Sequence, residues 1–224
     1  MFIEKIINII DLYHQKRIKN YLKKLNLKYF IDVGAHKGEF LSNILTLNYK
    51  KIYCFEPQEK IFKILHKNFA NKKNIKLFNL GLAHKNSKLI FYENKLTSTS
   101  TFSKSKNTVF SKIKNFIINS KNSQINKYIL NTRTLDEIFF NKKIDNIFLK
   151  IDVEGFEMNV LKGAKKTLSK KIKYILMERH FFQLYESNSR EKAHLFLEKN
   201  NFKLIKSFTF PLFHFQDNLY KKNN

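Results

Sequence analysis

YFIDVGAHKG, Tyr29 to Gly38, is the stretch from which the rest of the chain takes its order. Tyr29, Phe30, Ile31 and Val33 predict a buried strand, Gly34 and Gly38 a turn, and Glu39 the start of a helix. A parallel strand ending in a glycine-bearing turn and a helix start makes a site for a nucleotide-like ligand, because the first helical N–H groups face it. Gly34 is read as the point where the backbone comes close to that ligand, and Asp32 as the polar group nearest to it. An ordinary strand-to-helix connection carries the same pattern. The downstream residues have to decide between the two.

Phe40, Leu41, Ile44, Leu45 and Leu47 predict a helix, and Ile52 to Phe55 a second strand. Pro57 cannot donate to a ladder, so that strand stops at Glu56-Pro57. Glu56 is left at its C-terminal edge, where doubly wound folds place a carboxylate on the two ribose hydroxyls of a ligand. A plain surface acid is the other reading. Ile61, Phe62, Leu65 and Phe69 mark the next helix, Ile75 to Leu82 a third strand, and Leu89 to Tyr92 a short antiparallel companion. The order β-α-β-α-β argues for a parallel sheet with right-handed crossovers. Residues 95–126 turn to Ser, Thr, Asn and Lys, and so long a connection is read as a mobile cover over the cleft with one short helix around Val109 to Ile117. Tyr128 to Thr132 reads as an edge strand, and Thr134 as the N-cap of a helix from Leu135 to Phe140.

The second informative block is Asn146 to Gly163, NIFLKIDVEGFEMNVLKG. Ile147, Phe148, Leu149 and Ile151 are nearly unbroken in apolarity, as a strand covered on both faces should be. Lys150, Asp152 and Glu154 alternate out of its C-terminal end. Burying them unpaired is costly, so they are expected in a wet cleft or on an ion; pairing of Lys150 with a carboxylate is the alternative. Ile172 to Met177 predicts the next strand, which ends in Glu178, Arg179 and His180. Asp152, Glu154, Glu178 and His180 should therefore meet at the sheet edge that carries Asp32 and Glu56. A helix from Arg190 to Lys199 and two closing strands, Phe202 to Phe210 and Phe215 to Tyr220, complete the chain.

With 224 residues, 43% hydrophobic, the chain can bury a sizeable core, and it reads as one domain (29–224) behind a basic amphipathic helix (1–28). Ile3, Ile6, Ile7, Ile10 and Tyr13 or His14 follow helical spacing there, which suits a cap on the core, a homodimer contact, or a helix lying on a membrane. The net charge is +25, yet arginine stands only at positions 17, 133, 179 and 190, and the lysines are scattered. A nucleic-acid footprint clusters, often with arginine, so a nucleic-acid partner is not expected. Cys54, the single cysteine, falls in a strand and excludes an intrachain disulfide. No apolar run reaches a membrane span, and the expected location is cytoplasmic, with peripheral contact at the inner face of the membrane through the first helix.

DVGAHKG, CFEP, NLGLA, TLDEI, FLKIDVEGFEMNVLKGA and ILMERH together resemble the FkbM-type family of S-adenosylmethionine-dependent methyltransferases, over about Tyr29 to His180. The resemblance implies a class I methyltransferase (Rossmann-like) α/β fold, with helices on both faces of a seven-stranded, mostly parallel sheet whose last strand is antiparallel. It also implies O-methylation of a small-molecule or glycan hydroxyl. On matching positions, Asp32, Gly34, Ala35, His36 and Gly38 would hold the methionine end of the cofactor. Glu56, with Pro57 behind it, would take the ribose hydroxyls, and Asn79 and Gly81 in Asn79–Leu82 would lie near the adenine. His36 stands where the family usually has Asn, and Ser103 to Asn126 looks longer than is typical.

Methyl transfer needs alignment and removal of the acceptor proton. His180 is expected as general base, with Asp152 or Glu178 orienting it or the acceptor. Alternatively Mg²⁺ on Asp152, Glu154 and Glu178 lowers the hydroxyl pKa. An RNA ribose 2'-O-methyltransferase and a non-catalytic cofactor-binding module are the competing functions.

Overall fold

The structure, a computed structural model, describes residues 2–94, 97–104, 124–181, 189–212 and 215–223. The first half runs α1 (Phe2–Leu22), β1 (Tyr29–Val33), α2 (Glu39–Ile44), β2 (Lys51–Phe55), α3 (Glu59–Phe69), β3 (Ile75–Phe78), β4 (Gly81–Leu82) and β5 (Ser87–Asn94). The second half runs β6 (Gln124–Arg133), α4 (Leu135–Phe139), β7 (Ile147–Ile151), α5 (Glu157–Lys162), α6 (Lys165–Lys170), β8 (Ile172–His180), α7 (Ser189–Lys199), β9 (Phe202–Thr209) and β10 (Phe215–Lys222).

Seven strands form the central sheet in the order β3-β2-β1-β7-β8-β10-β9. Only β10 runs against its neighbours, β8 and β9. This is the expected topology, with the antiparallel strand last in the chain. Two apolar clusters fill the two faces, as the alternation along β1 requires. Tyr29, Ile31 and Val33 join Leu149 and Ile151 in one, and Phe30 joins Phe148 in the other. Phe30 and Phe148 are paired in register and stack at 5.1 Å. Two residues further, the same face brings Asp32 opposite Lys150.

The structure departs from the expected strands at three points: β8 runs on through His180, β6 starts at Gln124 and lies in the middle of its sheet rather than at an edge, and the third strand divides. Ile75 to Leu82 is not a single strand: β3 ends at Phe78, and β4 joins a separate three-stranded sheet, β4-β6-β5. Between them the Asn79 side-chain amide donates to the Glu56 and Pro57 carbonyls, at 2.9 and 3.1 Å, and turns the chain. The strands around Leu89 and Tyr128 are each other's antiparallel partners in that sheet.

The helix expected at the N-terminus is α1, and it packs on the main domain through His14, Ile18 and Leu22. Tyr13 is exposed and His14 buried, which settles the position that spacing left open. Of the expected cover, residues 97–104 are seen to fold back on the sheet edge. The remainder, with the helix expected around Val109 to Ile117, lies outside the described residues.

Candidate active site

The strand ends of β1, β2, β7 and β8 deliver their polar residues to one edge of the sheet. Asp32 is completely buried, and Lys150 Nζ lies 3.3 Å from its Oδ1 and 3.1 Å from Asp152 Oδ2. Lys150 is itself buried, with Nζ 5.3 Å from the centre of the Phe40 ring. The expectation that Lys150 points into a wet cleft is thus overturned; its pairing with carboxylates holds. Desolvation works against the ammonium, but Asp152 and Asp32 outweigh it and keep Lys150 charged. Burial pushes the Asp32 carboxyl up, opposed by Lys150.

Gly34 (φ +84°) is required by the protein itself. A Cβ there would stand 1.8 Å from the Asp152 carbonyl oxygen, so the close approach is to the backbone after β7. Gly38 (φ +93°) faces Phe69 and Leu65 in the same way. His36 also has positive φ, +48°, a region that Asn and His enter more readily than most residues.

Glu56 organises the turn. Its Oε2 accepts from the His36 N–H at 3.0 Å and its Oε1 from the Gln58 N–H at 2.8 Å. Each oxygen keeps a second lone pair, which is what two vicinal hydroxyls need. Burial pushes its pKa up to about 7, partly offset by those two N–H groups. Ala35 is buried behind the turn, and the His36 ring spans Glu39 (3.0 Å) and Thr97 Oγ1 (2.9 Å). Asn79 is engaged with the Glu56 and Pro57 carbonyls, and Gly81 is tucked against Phe102 and Thr132.

His180 stands at the far side of the edge. Its Nε2 lies 3.0 Å from Glu154 Oε2 and 3.2 Å from Glu178 Oε1, within reach of both carboxyl groups. Asp152, expected as an alternative orienting group, is bonded to Lys150 at 3.1 Å and to the Glu178 side chain, and so reaches the His180 cluster through Glu178. Glu178 is pushed well up, first by burial and then by the charges of Asp152, Glu154 and Asp217. Glu154, Glu178 and His180 each offer a ligand atom within 4.8 Å of the others, a different set from the three carboxylates expected to hold a metal.

Three features were not foreseen. Thr101 Oγ1 contacts the Val153 and Glu154 carbonyls at 3.0 and 2.8 Å, and Ser103 Oγ donates to the Gly155 carbonyl at 2.8 Å. These bonds strap residues 97–104 onto the loop that holds Glu154. Glu157 is buried and accepts the Gly155 N–H at 2.8 Å. His14 and Asp217, 2.8 Å apart, tie α1 to β10 at the register of Glu178. The hydroxyl-rich run Thr97 to Thr101 signalled the first of these; nothing local in the sequence signalled the others.

Nine of the chain's 18 acids form one electrostatically linked set at this edge: Asp11, Asp32, Glu39, Glu56, Asp152, Glu154, Glu157, Glu178 and Asp217. A chain of net charge +25 therefore gathers half of its acids at one edge of its sheet.

Solved structures share this fold. An FkbM methyltransferase from Methylobacillus flagellatus superposes with a TM-score of 0.56 at 14% identity, over 87% of this chain and 43% of its own. The chain therefore spans less than half of that protein. Magnesium protoporphyrin IX methyltransferase from Synechocystis, solved with bound SAM, gives 0.54 at 10% identity over 100% and 85% of the two chains. A SAM-dependent methyltransferase from Leishmania major gives 0.53 at 12%, over 96% and 73%. No curated protein matches the sequence significantly. Residues 32–204 match the Methyltransferase FkbM domain, from the β1 aspartate into β9; the chain belongs to that family.

Proposed function

We propose that the protein is an S-adenosylmethionine-dependent O-methyltransferase acting on a hydroxyl of a small molecule or glycan. The observation that carries this reading is His180 Nε2 held between Glu154 and Glu178, at the same strand ends as the Glu56 turn. The Glu56 oxygens and the turn from Gly34 to Gly38 suit a ribose-bearing ligand, and the acids gathered at this edge suit one that carries positive charge. When bound, S-adenosylmethionine supplies a sulfonium methyl group and its own leaving group.

The residues then have two tasks. The Glu56 turn fixes the donor, and the His180 cluster aligns the acceptor oxygen and receives its proton. Glu154 and Glu178 orient the ring and stabilise the imidazolium that results. The new bond is between acceptor oxygen and methyl carbon; the bond that breaks joins that carbon to sulfur.

The same acids disfavour a phosphate-rich acceptor beside the reacting atoms, which weighs against RNA. A second reading rests on the mixed donor set Glu154, Glu178 and His180: a divalent ion there would lower the acceptor pKa instead. An imidazole with two carboxylates suits Mn²⁺ at least as well as Mg²⁺.

A labelled-methyl transfer screen against sugars, lipid-linked glycans and RNA tests the proposal. Transfer to a hydroxyl in the presence of chelator, reduced at least about tenfold by His180→Ala with cofactor affinity kept, is the expected result. Transfer abolished by chelator and restored by Mg²⁺ or Mn²⁺ would assign the cluster to a metal. No transfer to any hydroxyl acceptor would leave a cofactor-binding module.

A further inference from the structure

Ile9, Leu12 and Tyr13 on α1, and Leu212 in the turn between β9 and β10, are each half exposed or more. The three α1 residues share one helix face, and His14, Ile18 and Leu22 occupy the opposite, buried one. Exposed Lys16 continues the outer face toward the C-terminus, and exposed Lys23 and Lys24 follow directly after the helix. The turn that carries Leu212 is held next to this half of α1. Arg17 donates to the Thr209 carbonyl at 3.0 Å, and the His14 ring meets Phe210 and Phe215 edge-on at 5.3 and 5.6 Å. Apolar residues on one helix face, with lysines beyond them, make the pattern of a helix lying in a lipid headgroup layer.

His14 bonds Asp217, which pairs in register with Glu178, and Asp11 feels the charges of Asp217, Glu39 and Asp152. These contacts come from the inner face of α1, and the outer face points away from that edge. Charge selects the occupant. With nine acids gathered at that edge, the remaining surface is more basic than the net +25 alone conveys. A second copy of so basic a chain is repelled, whereas an anionic surface is drawn to it.

We infer that Ile9, Leu12, Tyr13 and Leu212 dock the protein on an anionic lipid bilayer. The docking stands independently of the chemistry; only an acceptor carried by that membrane would rest on the methyl-transfer reading.

Sedimentation of the full chain with vesicles tests the docking. The chain is expected to bind phosphatidylcholine vesicles containing about one third phosphatidylglycerol, and not phosphatidylcholine alone. Replacing Ile9, Leu12 and Tyr13 together by Ser should weaken binding at least about tenfold, with Ile129→Ser, on the separate small sheet, as an unaffected control. Should the triple variant fail to fold, Lys16→Glu with Lys23→Glu should give the same loss from exposed positions. Absence of binding overturns the inference. So does binding that salt abolishes but the Ser variant keeps, or a dimer that the Ser variant dissolves. Capture of an RNA oligonucleotide in place of the vesicles would also overturn it.

Discussion

Lys150 and Asp32 face each other in register on adjacent central strands, buried, with 3.3 Å between ammonium and carboxylate. The pair sits directly beneath the turn from Gly34 to Gly38, so the strand end that opens the site is held by a buried charge. Removing one partner strands the other in a low-dielectric interior.

Lys150→Met is therefore expected to destabilise the fold by about 3–5 kcal/mol in urea denaturation. Adding Asp32→Val should recover most of that loss, because both buried charges then disappear. A double variant no more stable than Lys150→Met would show that the pair is not the source of the effect.

Gly34 and Gly38 share a positive φ but differ in what surrounds them. An Ala Cβ at 34 meets the Asp152 backbone carbonyl, whereas at 38 it meets the Phe69 and Leu65 side chains, which can move. Gly34→Ala should cost at least about 2 kcal/mol and Gly38→Ala clearly less. Thermal unfolding of the two variants gives the comparison.

Glu56 couples the site to pH. Its carboxyl is held at about 7 against an ordinary 4.5, so across that window the folded chain keeps a proton that the unfolded chain has lost. The contribution of Glu56 to stability falls as pH rises from about 4.5 to about 7, and is level above. Glu56→Gln removes the titration. The variant should gain about 1–3 kcal/mol relative to the natural chain between about pH 5 and about pH 7.5. Urea titrations at both values read this difference, and a constant difference contradicts the assignment.

Thr101 is expected to act on the loop that positions Glu154. Thr101→Val deletes the hydroxyl facing two carbonyls and should cost about 1–2 kcal/mol. If the strap matters for His180, the variant also loses turnover on the acceptor found in the transfer screen, while cofactor affinity stays.

The sequence made the central sheet legible because β1, β2 and β7 are apolar on both faces and because Pro57, Glu154-Gly155 and the polar residues after Met177 mark the edge that they share with β8. The small sheet was not, because β4 and β6 pair across distant parts of the chain and the break after Phe78 depends on Asn79 reaching two carbonyls. At the site, residue types and the shared edge were readable from strand ends. The partners were not. That Lys150 turns inward to Asp32 follows from strand register, and that Glu154 rather than Asp152 meets His180 follows from a loop whose φ is positive at both Glu154 and Gly155.

On the proposed reading, the turn from Gly34 to Gly38, organised by Glu56, holds S-adenosylmethionine. Calorimetric titration of that ligand into the intact chain tests it most directly. One binding site is predicted, with affinity reduced at least about tenfold by Glu56→Ala and kept in His180→Ala. No detectable binding, or equal affinity in the Glu56→Ala chain, would contradict it.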